Sequence, residues 1–153
     1  MKNINLIIDD TPVTVPEGTT IMDAAETIGV HIPRLCYLPK LSLEGACRIC
    51  IVEAEGYKGY LASCAAKVVE GMKIRTNSPE IRQARRDLVE LILDNHPMEC
   101  QTCERDGQCE LQNLAYTLGV RERLFEGNRK HFEIDDSGFS VIRNSEKCIL
   151  CRR

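Results

Sequence analysis

Asn3-Ile4-Asn5-Leu6-Ile7-Ile8-Asp9-Asp10-Thr11-Pro12-Val13-Thr14-Val15 opens the chain with two runs of strand composition around a cluster of turn residues. Residues 3–8 and Val13-Thr14-Val15 read as strands, and Asp9-Asp10-Thr11-Pro12 as the turn that folds them into a hairpin. Pro16-Glu17-Gly18 ends the hairpin. Thr19 or Thr20 then caps a helix running to about Ile28, and Asp23 is the capping-box acid if Thr20 is the cap. Ile21, Ala24, Ala25 and Ile28 recur at helical spacing as its buried stripe, and Gly29 ends it.

Outward from there, residues 31–47 form a loop punctuated by Pro33, Pro39 and Gly45 and containing Cys36. Residues 49–54 read as a strand, Gly56-Tyr57-Lys58-Gly59 as a turn, residues 60–65 as the returning strand, and residues 68–74 as a further turn and short strand. Two hairpins, one helix and a long cysteine loop describe a β-grasp sheet with a helix packed across it. The fold class is α+β.

A second helix opens at Ser78, the N-cap, with Pro79 at its first helical position. Ile81, Leu88, Leu91 and Ile92 line its apolar face up to Asn95, and Pro97 disfavours the helical conformation at His96. A short helix from Glu110 to Leu118 ends at Gly119, and residues 120–147 read as linker with one or two short strands. The expected division is residues 1–77, 78–131 and 132–153.

Cysteine spacing carries the chemistry. Nine cysteines and His96 fall into three groups with none left over. Cys36-x10-Cys47-x2-Cys50-x13-Cys64 supplies four thiolates, the ligands that iron–sulfur cores prefer. On this reading Cys47 and Cys50 grip one iron from a tight turn, and Cys36 and Cys64 grip the second. Gly45 and Ala46 leave room for backbone N–H groups to approach bridging sulfides. The spacing differs from the plant-type C-x4-C-x2-C pattern. It resembles the N-terminal 2Fe–2S domain of FeFe-hydrogenases and of the large iron–sulfur subunit of respiratory NADH dehydrogenase. A four-cysteine zinc site in an interaction module remains the reading of another class, although such sites usually have two short pairs where this chain has one.

His96-x3-Cys100-x2-Cys103-x5-Cys109 forms the second group. Three cysteines within ten residues can hold three corners of a cubane, and His96, released from its helix by Pro97, stands where a fourth ligand is needed. A neutral imidazole in place of a thiolate should raise the potential. The run HPMECQTCERDGQCELQNLAY resembles the 4Fe–4S segment, with one histidine and three cysteine ligands, shared by FeFe-hydrogenases, the NADH dehydrogenase large subunit and some NAD(P)-linked formate dehydrogenases. His31 and His131 have no cysteine partners at ligand spacing and read as ordinary.

Cys148-x2-Cys151 looks like the first half of a C-x2-C-x2-C-x3-C run whose next cysteine is expected just past Arg153. The chain therefore reads as ending inside a ferredoxin-like domain, with this further 4Fe–4S cluster formed only in a longer chain. A redox C-x2-C pair would instead begin a helix in a thioredoxin-type βαβ unit, which the pattern lacks.

Bulk composition agrees. Hydrophobic residues are 43% and aromatics 5% of 153 residues, so small subdomains need a staple, and metal ligation can supply one. The net charge of −3 leaves no basic footprint for nucleic acid. Arg82, Arg85 and Arg86, and Arg121, Arg123, Arg129 and Lys130, read as solvated helix faces. No stretch approaches a membrane span, and no signal peptide opens the chain. Nine cysteines without a secretory signal point to a reducing cytoplasm.

Taken as a whole, the chain resembles the electron-input region of a larger oxidoreductase. The resemblance implies one 2Fe–2S and one 4Fe–4S cluster, and passage of single electrons between a flavin- and NAD(P)-binding subunit and an active site elsewhere. The best fit is the catalytic subunit of a multi-subunit NAD(P)-linked FeFe-hydrogenase, with small ferredoxin-like subunits among its partners. NADH:quinone oxidoreductase and NAD(P)-linked formate dehydrogenase follow. No acid–base pair, activated nucleophile or glycine-rich phosphate loop stands out, so no catalytic residue is assigned.

Overall fold

The computed structural model describes residues 2–39, 41, 43–125, 127–129 and 131–152. Lys130 therefore lies outside the described residues. The chain divides into two compact units, Met1–Arg85 with Arg152–Arg153, and Arg86–Cys151.

The first unit is mixed α+β. Strands β1 (Asn3–Ile8) and β2 (Thr11–Pro16) pair antiparallel from Asn3↔Pro16 to Ile8↔Thr11. The turn is therefore only Asp9-Asp10, not the four residues expected, and Thr11 and Pro12 belong to β2. Both aspartates have positive φ, 46° and 65°, as a two-residue hairpin turn requires to match the strand twist. β3 (Ile51–Ala54), β4 (Leu61–Ala62) and β5 (Lys73–Arg75) complete a five-stranded sheet in the order β2-β1-β5-β3-β4. β1 and β5 are parallel, and the other pairs are antiparallel.

Helix α1 (Ile21–Thr27) lays Ile21, Met22, Ala24 and Ala25 into a core shared with Ile4, Leu6 and Ile8 of β1. Thr20 is its cap, accepting from the Asp23 amide at 3.1 Å. Asp23 turns its carboxylate elsewhere, accepting from the Tyr37 hydroxyl at 3.0 Å.

Helix α2 (Pro79–Asp94) begins as expected, with Ser78 Oγ accepting from the Ile81 amide at 3.1 Å. Its buried positions are Ile81, Arg85, Val89, Glu90 and Leu93, and Leu91 is exposed. The face is thus an i, i+4 series through Arg85. The reading of Arg85 as solvated is corrected: a helix face needs only one misjudged polar residue to be rotated in the reading.

In the second unit, helix α3 (Glu110–Leu118) buries Leu111 and Ala115 and ends at Gly119, whose φ of 72° suits a left-handed C-terminal residue. Arg86 and Glu90 form an ion pair along α2 at 2.9 Å, and Arg123 reaches Asp94 at 2.6 Å. Beyond α3 the expected short strands reduce, among the described residues, to a single bridge, Asp135↔Arg143. No helix is long and apolar enough to cross a membrane among the described residues.

Candidate functional site

The first cysteine set is built where the loop after α1 meets the β3–β4 hairpin. Cys36, Cys50 and Cys64 are buried, Cys47 is half-buried, and Cys50 and Cys64 belong to the hydrophobic core. Cys36 is held from α1. Tyr37 donates to Asp23, and Arg34 pairs with Glu26 and lies 5.1 Å over the Tyr37 ring. Burial and the hydrogen bond to Asp23 push the Tyr37 hydroxyl up to about 12. Cys64 is pinned on both sides, because the first amides of α1 donate into its loop. Ile21 N–H reaches the Ala66 carbonyl at 2.9 Å and Met22 N–H the Ser63 carbonyl at 3.0 Å. These are helix-start donors that need partners in any case.

Between Cys47 and Cys50 the chain turns sharply. Gly45 has φ 59° and Arg48, a non-glycine residue, also has φ 59°. The Cys47 amide lies 3.5 Å from the Cys36 sulfur. Cys47 thus lies beside Cys36, and the Cys64 thiol hydrogen-bonds to Cys50. The hydrogen bond from the Cys64 thiol pulls Cys50 down to about 6 against its burial, and the donor Cys64 is pushed far up. Burial raises Cys47.

Two residues unmarked in the sequence brace this set. Ser63 fills the Cys50 carbonyl twice, through its amide at 3.1 Å and its hydroxyl at 2.7 Å. Arg85 donates to the flanking carbonyls, Ile49 at 3.0 Å and Ile51 at 2.8 Å. Burial lowers the Arg85 guanidinium to about 10, leaving it charged at neutral pH.

The second set lines a cavity of about 740 Å3. His96, Cys100, Cys103 and Cys109 all face it, with Leu93, Leu111 and Val120 supplying apolar wall. His96 Nδ1 lies 2.8 Å from the Pro97 carbonyl. A carbonyl only accepts, so Nδ1 carries the proton and Nε2 keeps the lone pair free to bind. The main chain at His96 is held by Arg129, which donates to its carbonyl. Burial raises the Cys100 thiol, and the neighbouring Cys109 and Cys103 add to the effect.

Gln112, buried on α3, organises the loop between Cys103 and Cys109. Its Oε1 accepts from the Gly107 amide at 2.9 Å and its Nε2 donates to Asp106 at 2.6 Å. Spacing gave no sign of this role.

None of the remaining candidate residues lines the cavity of the second set. Cys148 is exposed, Cys151 is half-buried, and neither is among the residues lining the cavity. His31 is exposed, and His131 pairs with Glu146 at 3.0 Å. All nine cysteines are free of disulfides. Among the described residues no three His, Cys, Asp or Glu side chains are arranged to hold a single metal ion. An iron–sulfur core makes a different demand, one or two protein ligands at each of several irons.

Comparison with known proteins agrees with this donor chemistry. Residues 1–79 match the family model described as 2Fe-2S iron-sulfur cluster binding domain. The chain belongs to this 2Fe-2S family. Residues 85–123 of this family member match a second model, the NADH-ubiquinone oxidoreductase-G iron-sulfur binding region. The NADP-reducing hydrogenase subunit HndD of Solidesulfovibrio fructosivorans is 42% identical over 100% of this chain and 27% of its own length. The NADH-ubiquinone oxidoreductase 75 kDa subunit of Reclinomonas americana is 38% identical over 98% of this chain and 22% of its own. A solved chain of NAD+-reducing [NiFe]-hydrogenase superposes with a TM-score of 0.88 at 32% identity, covering 97% of this chain and 62% of that one. This 2Fe-2S family chain therefore spans about a quarter of each of the two curated relatives.

Proposed function

We propose that this chain is the electron-relay region of an NAD(P)-linked, multi-subunit oxidoreductase, with a β-grasp 2Fe–2S domain over residues 1–77 and a 4Fe–4S domain over residues 78–131. Cys36, Cys47, Cys50 and Cys64 hold the first cluster, and His96, Cys100, Cys103 and Cys109 the second. Cys148 and Cys151, in residues 132–153, contribute to a further 4Fe–4S cluster in a longer chain. The observation that carries this reading is the gathering of each four-residue set within one compact unit.

The donor sets fit these groups. The first offers four thiols, three of them buried and Cys47 half-buried, which would hold the cluster's irons. The second offers three thiols and a correctly protonated imidazole around a cavity. When bound, the two clusters would take up and release single electrons. The protein's own part is to fix position and potential: α1 anchors Cys36 and Cys64, Gln112 shapes the loop before Cys109, and Arg129 and Pro97 orient His96.

An NAD(P)-linked FeFe-hydrogenase catalytic subunit is the preferred whole, supported by the 42% identity with the hydrogenase relative. The large subunit of NADH:quinone oxidoreductase is the second reading, supported by the 38% identity with the 75 kDa relative. Flavin- and NAD(P)-binding and small ferredoxin-like subunits are the partners either reading requires, in the cytoplasm.

Anaerobic reconstitution tests the cluster assignment. The protein should turn brown, hold about six irons with acid-labile sulfide, and show two paramagnetic species when reduced. Colourless protein holding zinc, or an iron count near two, would overturn the assignment of one or both sets.

A further inference from the structure

Arg85 is 4% exposed, on the buried face of α2 between Ile81 and Val89. Both of its hydrogen bonds end on main-chain carbonyls, those of Ile49 and Ile51, on either side of Cys50. Among the described residues no carboxylate lies within ion-pairing distance of it. Burying a guanidinium without a counter-ion is expensive, and an aliphatic residue would fill such a helix position more cheaply. Two carbonyl hydrogen bonds satisfy part of the donor capacity of the group but none of its charge. Asp9 acts on the guanidinium only from beyond ion-pairing distance and less strongly than Cys50, so the main source of negative charge nearby is the cysteine set. A core held by four thiolates is anionic, and it becomes more so when an electron enters, since no proton need accompany it.

We propose that Arg85 is the buried counter-charge of the cluster held by Cys36, Cys47, Cys50 and Cys64, a positioning residue that raises the potential at which this site is reduced. The inference rests on that ligand assignment. A fixed positive charge in a low-dielectric interior favours the more negative, reduced state, and it acts here through strand β3 and Cys50 without touching the metal. Its clamp on the Ile49 and Ile51 carbonyls keeps the charge in place.

The test is a dithionite titration, followed by electron paramagnetic resonance, of the anaerobically reconstituted chain and its Arg85→Gln and Arg85→Lys variants. Gln keeps donors and loses charge, whereas Lys keeps charge and loses the fork. The midpoint potential of the 2Fe–2S signal should fall in Arg85→Gln and stay near the wild-type value in Arg85→Lys, with the 4Fe–4S signal unmoved in both. Should Arg85→Gln fail to retain the cluster, retention in Arg85→Lys supports the role of charge. Loss in both variants assigns Arg85 to packing alone and overturns the proposal. So does an unchanged potential in Arg85→Gln, or an equal fall in both. An iron-free wild-type chain overturns the ligand assignment itself, a result distinct from any of these.

Discussion

Gln112 accepts the Gly107 amide at 2.9 Å and so ties helix α3 to the loop that separates Cys103 from Cys109. The same side chain donates to Asp106, leaving neither end of its amide idle. Buried amides that satisfy a loop in this way define its conformation, since removing them strands donors and acceptors at a cost of about 1–3 kcal/mol each. Arg85→Gln aside, four further substitutions probe the arrangement.

Gln112→Ala should loosen the Cys103–Cys109 loop and lower the iron content of reconstituted protein from about six toward about two, the share of the first cluster. Iron and sulfide analysis reads the change. A count unchanged at about six would show that the loop holds its shape without Gln112.

His96→Cys should retain a cubane and lower its potential, because an anionic thiolate replaces a neutral imidazole. Redox titration of the reduced 4Fe–4S signal measures the shift. An unmoved potential would mean that the Nε2 lone pair of His96 is not engaged.

Thr20→Val should lower the unfolding stability of the reconstituted protein by about 1 kcal/mol, the usual worth of a lost N-cap. The cap accepts from the Asp23 amide at 3.1 Å and has no replacement in valine. A thermal midpoint equal to that of the parent protein would count against this role for Thr20.

Asp10→Gly should raise stability by about 0.5 kcal/mol. Asp10 is exposed with φ 65°, a conformation costly for residues with a Cβ, and glycine gives back part of the gain through the entropy of the unfolded chain. Its neighbour Asp9 is a poor site for the same change, since its carboxylate binds the Thr76 amide at 2.8 Å. Denaturant unfolding of the two variants side by side should separate them.

The two four-residue sets were legible as candidates because metal binding demands particular residue types at short fixed intervals, and Cys47-x2-Cys50 or His96-x3-Cys100 can be read without knowing any distant contact. The opening hairpin, α1, the Ser78 cap and the end of α3 at Gly119 were legible for a similar reason: each is decided within a few residues. What escaped depends on partners far along the chain. Arg85 looked like a surface arginine until Ile49 and Ile51 were brought to it. The Cys47 amide beside the Cys36 sulfur, and the positive φ at Arg48, are reported by no spacing rule. β4 is shorter than its composition implies because Ser63 and Ala66 give their carbonyls to α1 and not to the sheet.

The stretch shared with the 2Fe-2S family closes at residue 79, yet the guanidinium that grips Ile49 and Ile51 is still to come. A piece excised at that border would keep Cys36, Cys47, Cys50 and Cys64 and still deprive the Ile49 and Ile51 carbonyls, on either side of Cys50, of their arginine. Anyone grafting this ferredoxin module onto another redox protein should carry the opening turns of α2 along with it.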